Sequence, residues 1–411
     1  MPGLAVEGCP RVRRAPVATA LAVIAAVVTG CPGTAALTAA PAAHTAPVLD
    51  GDGECTFPAP DVPQTPWSLQ RVLLNRLWQN TRGKGVTVAV IDSGIDTRNP
   101  QLATAVDVSR SLDLTAPGGR GTTDPVGHGT EVAGIIAARP SPATGFVGLA
   151  PEATLISLRQ AGEDGTGTVD GLARALRKAV AEGAGVINIS QDTPRGTPGL
   201  AAAVAAAVAA DAVIVASAGN GGSDGVFRTT YPGGYPGVLA VGASDRNNER
   251  APFSQAGDFV GVAAPGVDIL STVPGGGQCL DNGTSFAAPY VAGVAALIRA
   301  EHPTWTAAEV IAQIEQTAQR ISPGHDALLG WGVVDPVRAL TDGATAIETP
   351  TPDPAERPHH ASAIPAALTV ADPARHREKR TADYLVAGAV AALLLVTATA
   401  IVLRDRRRRP W

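Results

Sequence analysis

Five short runs constrain this chain more than anything else in it: VTVAVID from Val86, TLISLRQ from Thr154, GVINIS from Gly185, AVIVASAGN from Ala212 and GVLAVGAS from Gly237. Their apolar residues are consecutive rather than alternating, so each run, if extended, must bury both faces. A parallel sheet covered on two sides provides that environment. Helical stretches lie between the runs, among them Val169 to Glu182 and the Ala-rich Gly199 to Ala210. The pattern predicts an α/β fold, a three-layer α/β/α sandwich with a mostly parallel central sheet. Reactive groups in such a fold gather at the carboxyl ends of the strands.

Composition removes several classes. Of 411 residues, 45% are hydrophobic and 17% charged, which excludes disorder for the body of the chain. The 46 glycines and 34 prolines suit a loop-rich α/β protein better than a helical bundle. Between residues 51 and 345 acidic side chains outnumber basic ones 28 to 19, which argues against nucleic acid as a partner, because neutralising phosphates takes a basic surface. The cysteines, Cys9, Cys31, Cys55 and Cys279, form no C-x-x-C pair and have no histidine at ligand spacing, so structural zinc is not expected.

The two ends point to a membrane. Arg11, Arg13 and Arg14 precede an apolar run from Val17 to Val28, too short to span a bilayer but suited to the core of a signal peptide. Val28-Thr29-Gly30-Cys31 resembles a bacterial lipoprotein signal, so lipidation of Cys31 and simple cleavage both stand open. Near the other end, Leu385 to Val402 is uninterrupted Ala, Val, Leu, Ile, Gly and Thr, followed by Arg404 and Arg406 to Arg409. That reads as one transmembrane helix with its basic tail in the cytoplasm and everything before it outside. The expected organisation is a signal peptide with an Ala/Pro-rich segment over 1–46, an N-terminal extension over 47–66 and a folded unit over 67–340. A Pro-rich linker over 341–383, a span over 384–403 and a tail over 404–411 complete it.

Four places in the folded unit carry candidate chemistry. Asp92 ends the first strand-like run and meets a Ser93-Gly94 turn, a position from which a carboxylate can orient a partner or simply cap the turn. His128 lies in GHGTEVAGII between glycines that leave its imidazole uncovered, with Val132, Ile135 and Ile136 spaced to bury one face of a following helix. Ser285 lies in NGTSFAAPYVAGVAALI at the start of a small-residue helix, where unpaired N–H groups favour an oxyanion or, alternatively, where a serine caps. Pro289 falls in the first turns of that helix, where a missing donor costs least. Asn220, in SAGNGG, reads as a turn residue or as an amide donor to developing negative charge.

Taken together, VIDSGID around Asp92, HGTEVAG around His128, SAGN around Asn220 and GTSFAAPYVAG around Ser285 resemble the subtilisin-like serine peptidases, the subtilases. The Asp, His, Ser order is the one known for that family. The resemblance runs from about Trp67 to Leu340, closing with GWGVVDPVRAL. It implies that Ser285 attacks a peptide carbonyl, that His128 carries the proton, that Asp92 holds the imidazole, and that Asn220 and the Ser285 N–H cradle the oxyanion. It implies no metal or organic cofactor and a polypeptide substrate.

The resemblance also assigns substrate contacts. GEDGTG, with Gly165, Thr166 and Gly167, resembles the edge that pairs with an extended peptide, and Ser190 the start of a segment lining the primary specificity pocket. Relatives often continue with glycines where this chain has Gln191-Asp192-Thr193, and Asp192 suggests a preference for a basic side chain before the cut bond. Many subtilases bind calcium in a loop after the His helix; here that loop reads Arg139-Pro140-Ser141-Pro142, with no carboxylate or side-chain amide, so no site is expected there. Outside the cell, Cys55 and Cys279 are left to form a disulfide. The whole arrangement resembles the mycosins, subtilases associated with type VII secretion in actinobacteria, and implies a place beside that membrane complex. A bracing subunit that keeps a protease fold, and a general exported protease, are the alternatives.

Overall fold

A computed structural model describes residues 55–343, 345–354 and 373–407, with side chains of the final helix described over 378–404. The signal peptide, Cys31, most of the linker and the end of the basic tail lie outside the described residues.

The five apolar runs become strands: β1 (Thr87–Asp92), β3 (Thr154–Arg159), β4 (Val186–Ile189), β5 (Val213–Ser217) and β6 (Val238–Ser244). With the two-residue β2 (Leu112–Asp113) and with β7 (Val260–Pro265) they form a seven-stranded sheet of order β2-β3-β1-β4-β5-β6-β7. Every pairing in it is parallel.

Alternate residues of one strand serve two cores. Val88 and Val90 of β1 join Val132, Ile136, Val291 and Val294 on one side, whereas Ala89 and Ile91 join Leu172, Leu176, Leu200 and Val204 on the other. The first face is covered by α3 (His128–Ala137) and the long α6 (Thr284–Glu301), the second by α4 (Val169–Ala181) and α5 (Pro198–Ala209). This is the three-layer sandwich the sequence predicts. Thr168 caps α4 by accepting from Gly171 N, and Thr197 caps α5 with Pro198 in the first turn, where no donor is lost.

Smaller elements surround these layers. Short helices α1 (Trp67–Gln70) and α2 (Leu74–Leu77) lead into β1. A hairpin of β8 (Ile269–Thr272) and β9 (Gln278–Asp281) precedes α6, which α7 (Ala307–Thr317) and α8 (Pro336–Thr341) follow. Helix α7, which the sequence reading did not single out, opens with a capping box in which Thr306 and Glu309 satisfy each other's backbone N–H groups. Helix α9 (Pro373–Arg407) begins inside the stretch read as linker. Within it Glu378–Arg404 contains an 18-residue stretch of mean hydropathy 2.5, none of it buried, which makes the helix long and apolar enough to cross a membrane.

Chain direction fixes where a site can form. From β1 the chain goes to β2 and β3 on one side and then crosses to β4 and β5 on the other. The crevice at the carboxyl ends of β3, β1 and β4 is the switch point where ligands bind in such sheets.

Candidate active site

Asp92 is the last residue of β1 and His128 the first of α3, and their side chains meet there: His128 Nδ1 lies 2.8 Å from Asp92 Oδ1. Asp92 Oδ1 also accepts from Ser93 N, while Oδ2 is buried with no partner. An ionised carboxylate only accepts, so Nδ1 carries the proton, and Nε2 offers a lone pair once the imidazole is neutral.

A second acid, which the sequence reading did not single out, builds the start of α3. Buried Asp124 takes the N–H of Gly127 (2.9 Å) and the hydroxyl of Ser93 (2.9 Å) on Oδ1. Its Oδ2 takes the N–H (2.8 Å) and hydroxyl (2.7 Å) of Thr130. Ser93 Oγ in turn accepts from Gly129 N at 3.0 Å. The donors at this helix end are therefore consumed by the protein itself, and the imidazole sits on a rigid base. Its one available sequence signal was an acid three residues before Gly127, a capping spacing. Gly127 takes φ 95°, and a Cβ there would lie 2.2 Å from the Phe57 ring, so the N-terminal extension packs directly beside His128.

The serine stands at a different kind of helix end. Ser285 is the second residue of α6, and the ring of Phe286 lies 5.4 Å from that of His128, which brings the start of α6 beside the imidazole. In this conformation the Ser285 hydroxyl donates to Ser190 O at 3.1 Å and forms no hydrogen bond with the imidazole. Pro289 explains the partnership. It has no N–H for the Ser285 carbonyl four residues back, and Ser190 Oγ donates to that carbonyl instead, at 2.8 Å. Asn188 Nδ2 donates to Ser190 Oγ at 2.9 Å, fixing it from the other side. Ser190 is thus placed against the serine.

Asn220 is oriented by chemistry rather than by assumption. Thr284 N, which can only donate, lies 2.9 Å from Asn220 Oδ1, and Thr284 Oγ1 also donates to that atom at 2.9 Å. The amide oxygen is thereby held and Nδ2 left as a donor on the side of Gly283, whose Cβ position lies 3.6 Å from it.

The GEDGTG segment folds into a tight hairpin in which Gly162 N donates to Thr166 O (2.9 Å) and Asp164 accepts from Thr166 N (3.0 Å) and Thr166 Oγ1 (2.7 Å). Gly165, with φ 73°, approaches Val126, and Gly167 packs on the Gln160 side chain. Gln160 N donates to Asp92 O at 2.9 Å, so the hairpin is tied to the end of β1.

Cys55 and Cys279 are joined as a disulfide, with Cα atoms 6.1 Å apart. From Cys55 the extension runs along the loop before β9: Ala59 N donates to Gly276 O, Gln278 N to Pro60 O, and Val62 N to Gln278 Oε1.

Electrostatics concentrates on the imidazole. Burial alone would lower the His128 pKa, but the Asp92 carboxylate, supported by Glu131 and Asp124, outweighs it and lifts the value to about 9. Burial pushes Glu131, one helical turn on, up to about 8, and Asp281 adds to the effect. The loop after α3 offers a cation little. The carbonyls of Arg139 and Phe146 both accept from the Gln101 amide nitrogen (2.8 and 3.0 Å), and the Arg139 guanidinium bonds the carbonyls of Pro151, Thr104 and Ala153. Oxygens engaged by donors, with an arginine among them, do not fit calcium.

A model of the subtilase family matches residues 83–332. The chain belongs to the subtilase family. Among its relatives, Subtilisin E of Bacillus subtilis (strain 168) is 42% identical over 258 residues, 62% of this chain and 66% of the relative, so the chain spans slightly less than two thirds of that protein's length. Among solved structures, MycP1 with its N-terminal propeptide removed is 37% identical with a TM-score of 0.62, over 68% of this chain and 98% of that one. The MycP3 protease from the type VII (ESX-3) secretion system is 38% identical with a TM-score of 0.62, over 70% of this chain and 90% of that one. Family and fold are thus both subtilisin-like.

Proposed function

We propose that this subtilase is a membrane-anchored serine endopeptidase that cleaves polypeptides outside the cytoplasm with Asp92, His128 and Ser285, and that it works beside a type VII secretion complex. The observation that carries the catalytic part is the His128–Asp92 hydrogen bond at the end of β1, with the α6 N-terminus alongside it.

The chemistry follows from the donors and acceptors present. The Ser285 hydroxyl leaves Ser190 O, rotates about one side-chain bond to His128 Nε2, and attacks the substrate carbonyl carbon as its proton passes to Nε2. Negative charge developing on the carbonyl oxygen is met by Asn220 Nδ2 and by the Ser285 N–H, which, in the first turn of α6, has no intrahelical acceptor. The imidazolium, stabilised by Asp92, returns its proton to the departing amine, and water repeats the sequence on the acyl-enzyme. Gly165, Thr166 and Gly167 provide main chain for an extended substrate to pair with, and Ser190 begins the wall of the pocket for the acyl residue.

Anchoring rests on α9, whose leucines and valines are exposed over its whole circumference. With Arg404 and the arginines beyond it retained inside, the catalytic unit lies outside the cytoplasm. The association with secretion rests on the similarity to MycP3, whose own description places it in a type VII system, together with the order of extension, subtilase domain and span.

The test is hydrolysis of a quenched fluorescent peptide library by the detergent-solubilised full chain, with Ser285→Ala as control. The proposal expects a loss on the order of 10⁶-fold in the variant, the size seen when a subtilisin nucleophile is removed. Equal turnover by both forms would refute it. For the cellular part, a secretion defect on deletion that wild type restores and Ser285→Ala does not would support the role. Full restoration by Ser285→Ala would favour bracing instead.

A further inference from the structure

On the segment that begins at Ser190 stands a carboxylate that none of the catalytic chemistry uses. Asp192 follows Ser190 by two residues, and Ser190 is locked to Ser285 by two hydrogen bonds. From there its side chain reaches across to the next strand's loop: a Cβ added at Gly219 would lie 3.0 Å from Asp192 Oδ2 and 3.1 Å from Thr230 Cγ2. The carboxylate therefore lies on the backbone immediately before Asn220. It forms no hydrogen bond and no ion pair among the described residues, and it borders a cavity of ≈ 190 Å³ shared with Gln160, Val169 and Leu172.

The position of the reacting atoms says which part of a substrate comes here. The departing amine must face His128, which protonates it, so the acyl residue falls on the side of Ser285 away from the imidazole. On that side stand the Ser190–Asp192 segment and the Gly219–Asn220 turn. The acyl residue's side chain would enter between them, where Asp192 supplies a carboxylate.

We propose that Asp192 is a specificity-determining residue that selects a lysine or arginine immediately before the scissile bond. This deepens the peptidase reading and rests on it. Two features favour the assignment. The surrounding walls desolvate the carboxyl enough to raise its pKa although the residue opens to the groove, and among the described residues no cation pairs with it, so a cationic side chain is what the site lacks. The carboxylate also lies against the backbone of Gly219, next in the chain to Asn220, whose amide would meet the developing oxyanion charge. Left unpaired it opposes that charge, and a bound cation removes the opposition, so a basic residue should raise kcat as well as lower KM.

The experiment uses the full chain with peptides identical except for Arg, Lys, norleucine or Glu before the cut bond, and reads kcat and KM separately. Wild type should prefer Arg or Lys over norleucine by about 10- to 100-fold in kcat/KM, the worth of a charge-assisted hydrogen bond in a partly desolvated site. Asp192→Asn, nearly isosteric, should lose most of that preference and turn over the norleucine peptide faster than wild type does. Asp192→Lys should favour Glu. Equal rates for Arg and norleucine in wild type, or an unchanged preference in Asp192→Asn, would overturn the proposal, as would enrichment of basic residues only at other substrate positions. If no peptide is cut and a fluorophosphonate fails to label Ser285, the failure is that of the peptidase reading and not of the specificity assignment.

Discussion

The starts of α3 and α6 supply two of the proposed catalytic residues, yet the protein treats them in opposite ways. At α3 the N–H groups of Gly127, Gly129 and Thr130 are all taken by Asp124 and Ser93, so the end is closed and His128 is held against Asp92. At α6 Asn220 accepts from Thr284, Ser190 supplies the donor that Pro289 cannot, and the Ser285 N–H is left for something else. A helix end satisfied internally provides rigidity, and one left partly open provides a place for charge that exists only during reaction. In the proposed mechanism the proton-carrying group, His128, is fixed at rest while the nucleophile, Ser285, bonded to a carbonyl, must turn to become active.

The strongest way to break this contrast is at the closed end. Asp92→Asn keeps the shape but donates to Nδ1 instead of accepting, so Nε2 would hold the proton. Steady-state kinetics should show kcat falling on the order of 10⁴-fold with little change in KM. A loss under tenfold would mean that Asp92 does not set the tautomer. At the open end, Asn220→Ala should cost about 10²- to 10³-fold in kcat. Because Asn220 Oδ1 is also the acceptor for the N–H and hydroxyl of the fully buried Thr284, the melting temperature should fall as well, and kcat is read below the variant's unfolding transition. A KM effect alone would place Asn220 in substrate binding.

Smaller effects sharpen the comparison. Asp124→Ala strands the buried N–H of Thr130 and the hydroxyl of Ser93, and denaturant unfolding should show about 2 kcal/mol of lost stability with reduced activity. Unchanged stability would contradict the closed-end account. The pH profile tests the charges around His128. Its folded pKa of about 9 exceeds the ordinary value of about 6.5, so the His128–Asp92 pair contributes stability that is fully present below about pH 6.5 and lost as pH rises through about 9. Activity runs the other way, because the base must be neutral, and kcat/KM should climb toward an alkaline plateau. Glu131→Gln removes one nearby negative charge and should move that limb down by roughly half a unit. A limb that does not move would show that Glu131 is not felt at the imidazole.

The layers were legible because their cause is local. Runs such as Val88 to Ile91 or Val186 to Ile189 have no polar face, and a strand of that kind has few places to go. The candidate site residues were read as a set through the resemblance of their four motifs to the subtilases, and the fold brings two of them, Asp92 and His128, into hydrogen-bond contact, with the start of α6 alongside. What stayed hidden depends on distant partners. Asp124 reads like any turn acid until the fold brings Ser93 to it. The hairpin of β8 and β9 has strands too short to show a period, and Phe57 reaches Gly127 through an extension with no periodic signal. Pro289 was visible, but that Ser190 takes the carbonyl it frees emerges only when β4 and α6 are packed together.

The central claim is that Ser285 is activated by an imidazole already aligned by Asp92. It is tested most directly by the rate at which a fluorophosphonate attaches to the full chain, followed by intact mass and peptide mapping as a function of pH. The account predicts a single adduct on Ser285, formed faster as pH rises with the same apparent pKa as peptide hydrolysis, and formed at least 10³-fold more slowly in His128→Ala, in keeping with the rate attributed to general-base assistance. A folded protein that resists labelling, or labels at the same rate without His128, would contradict it.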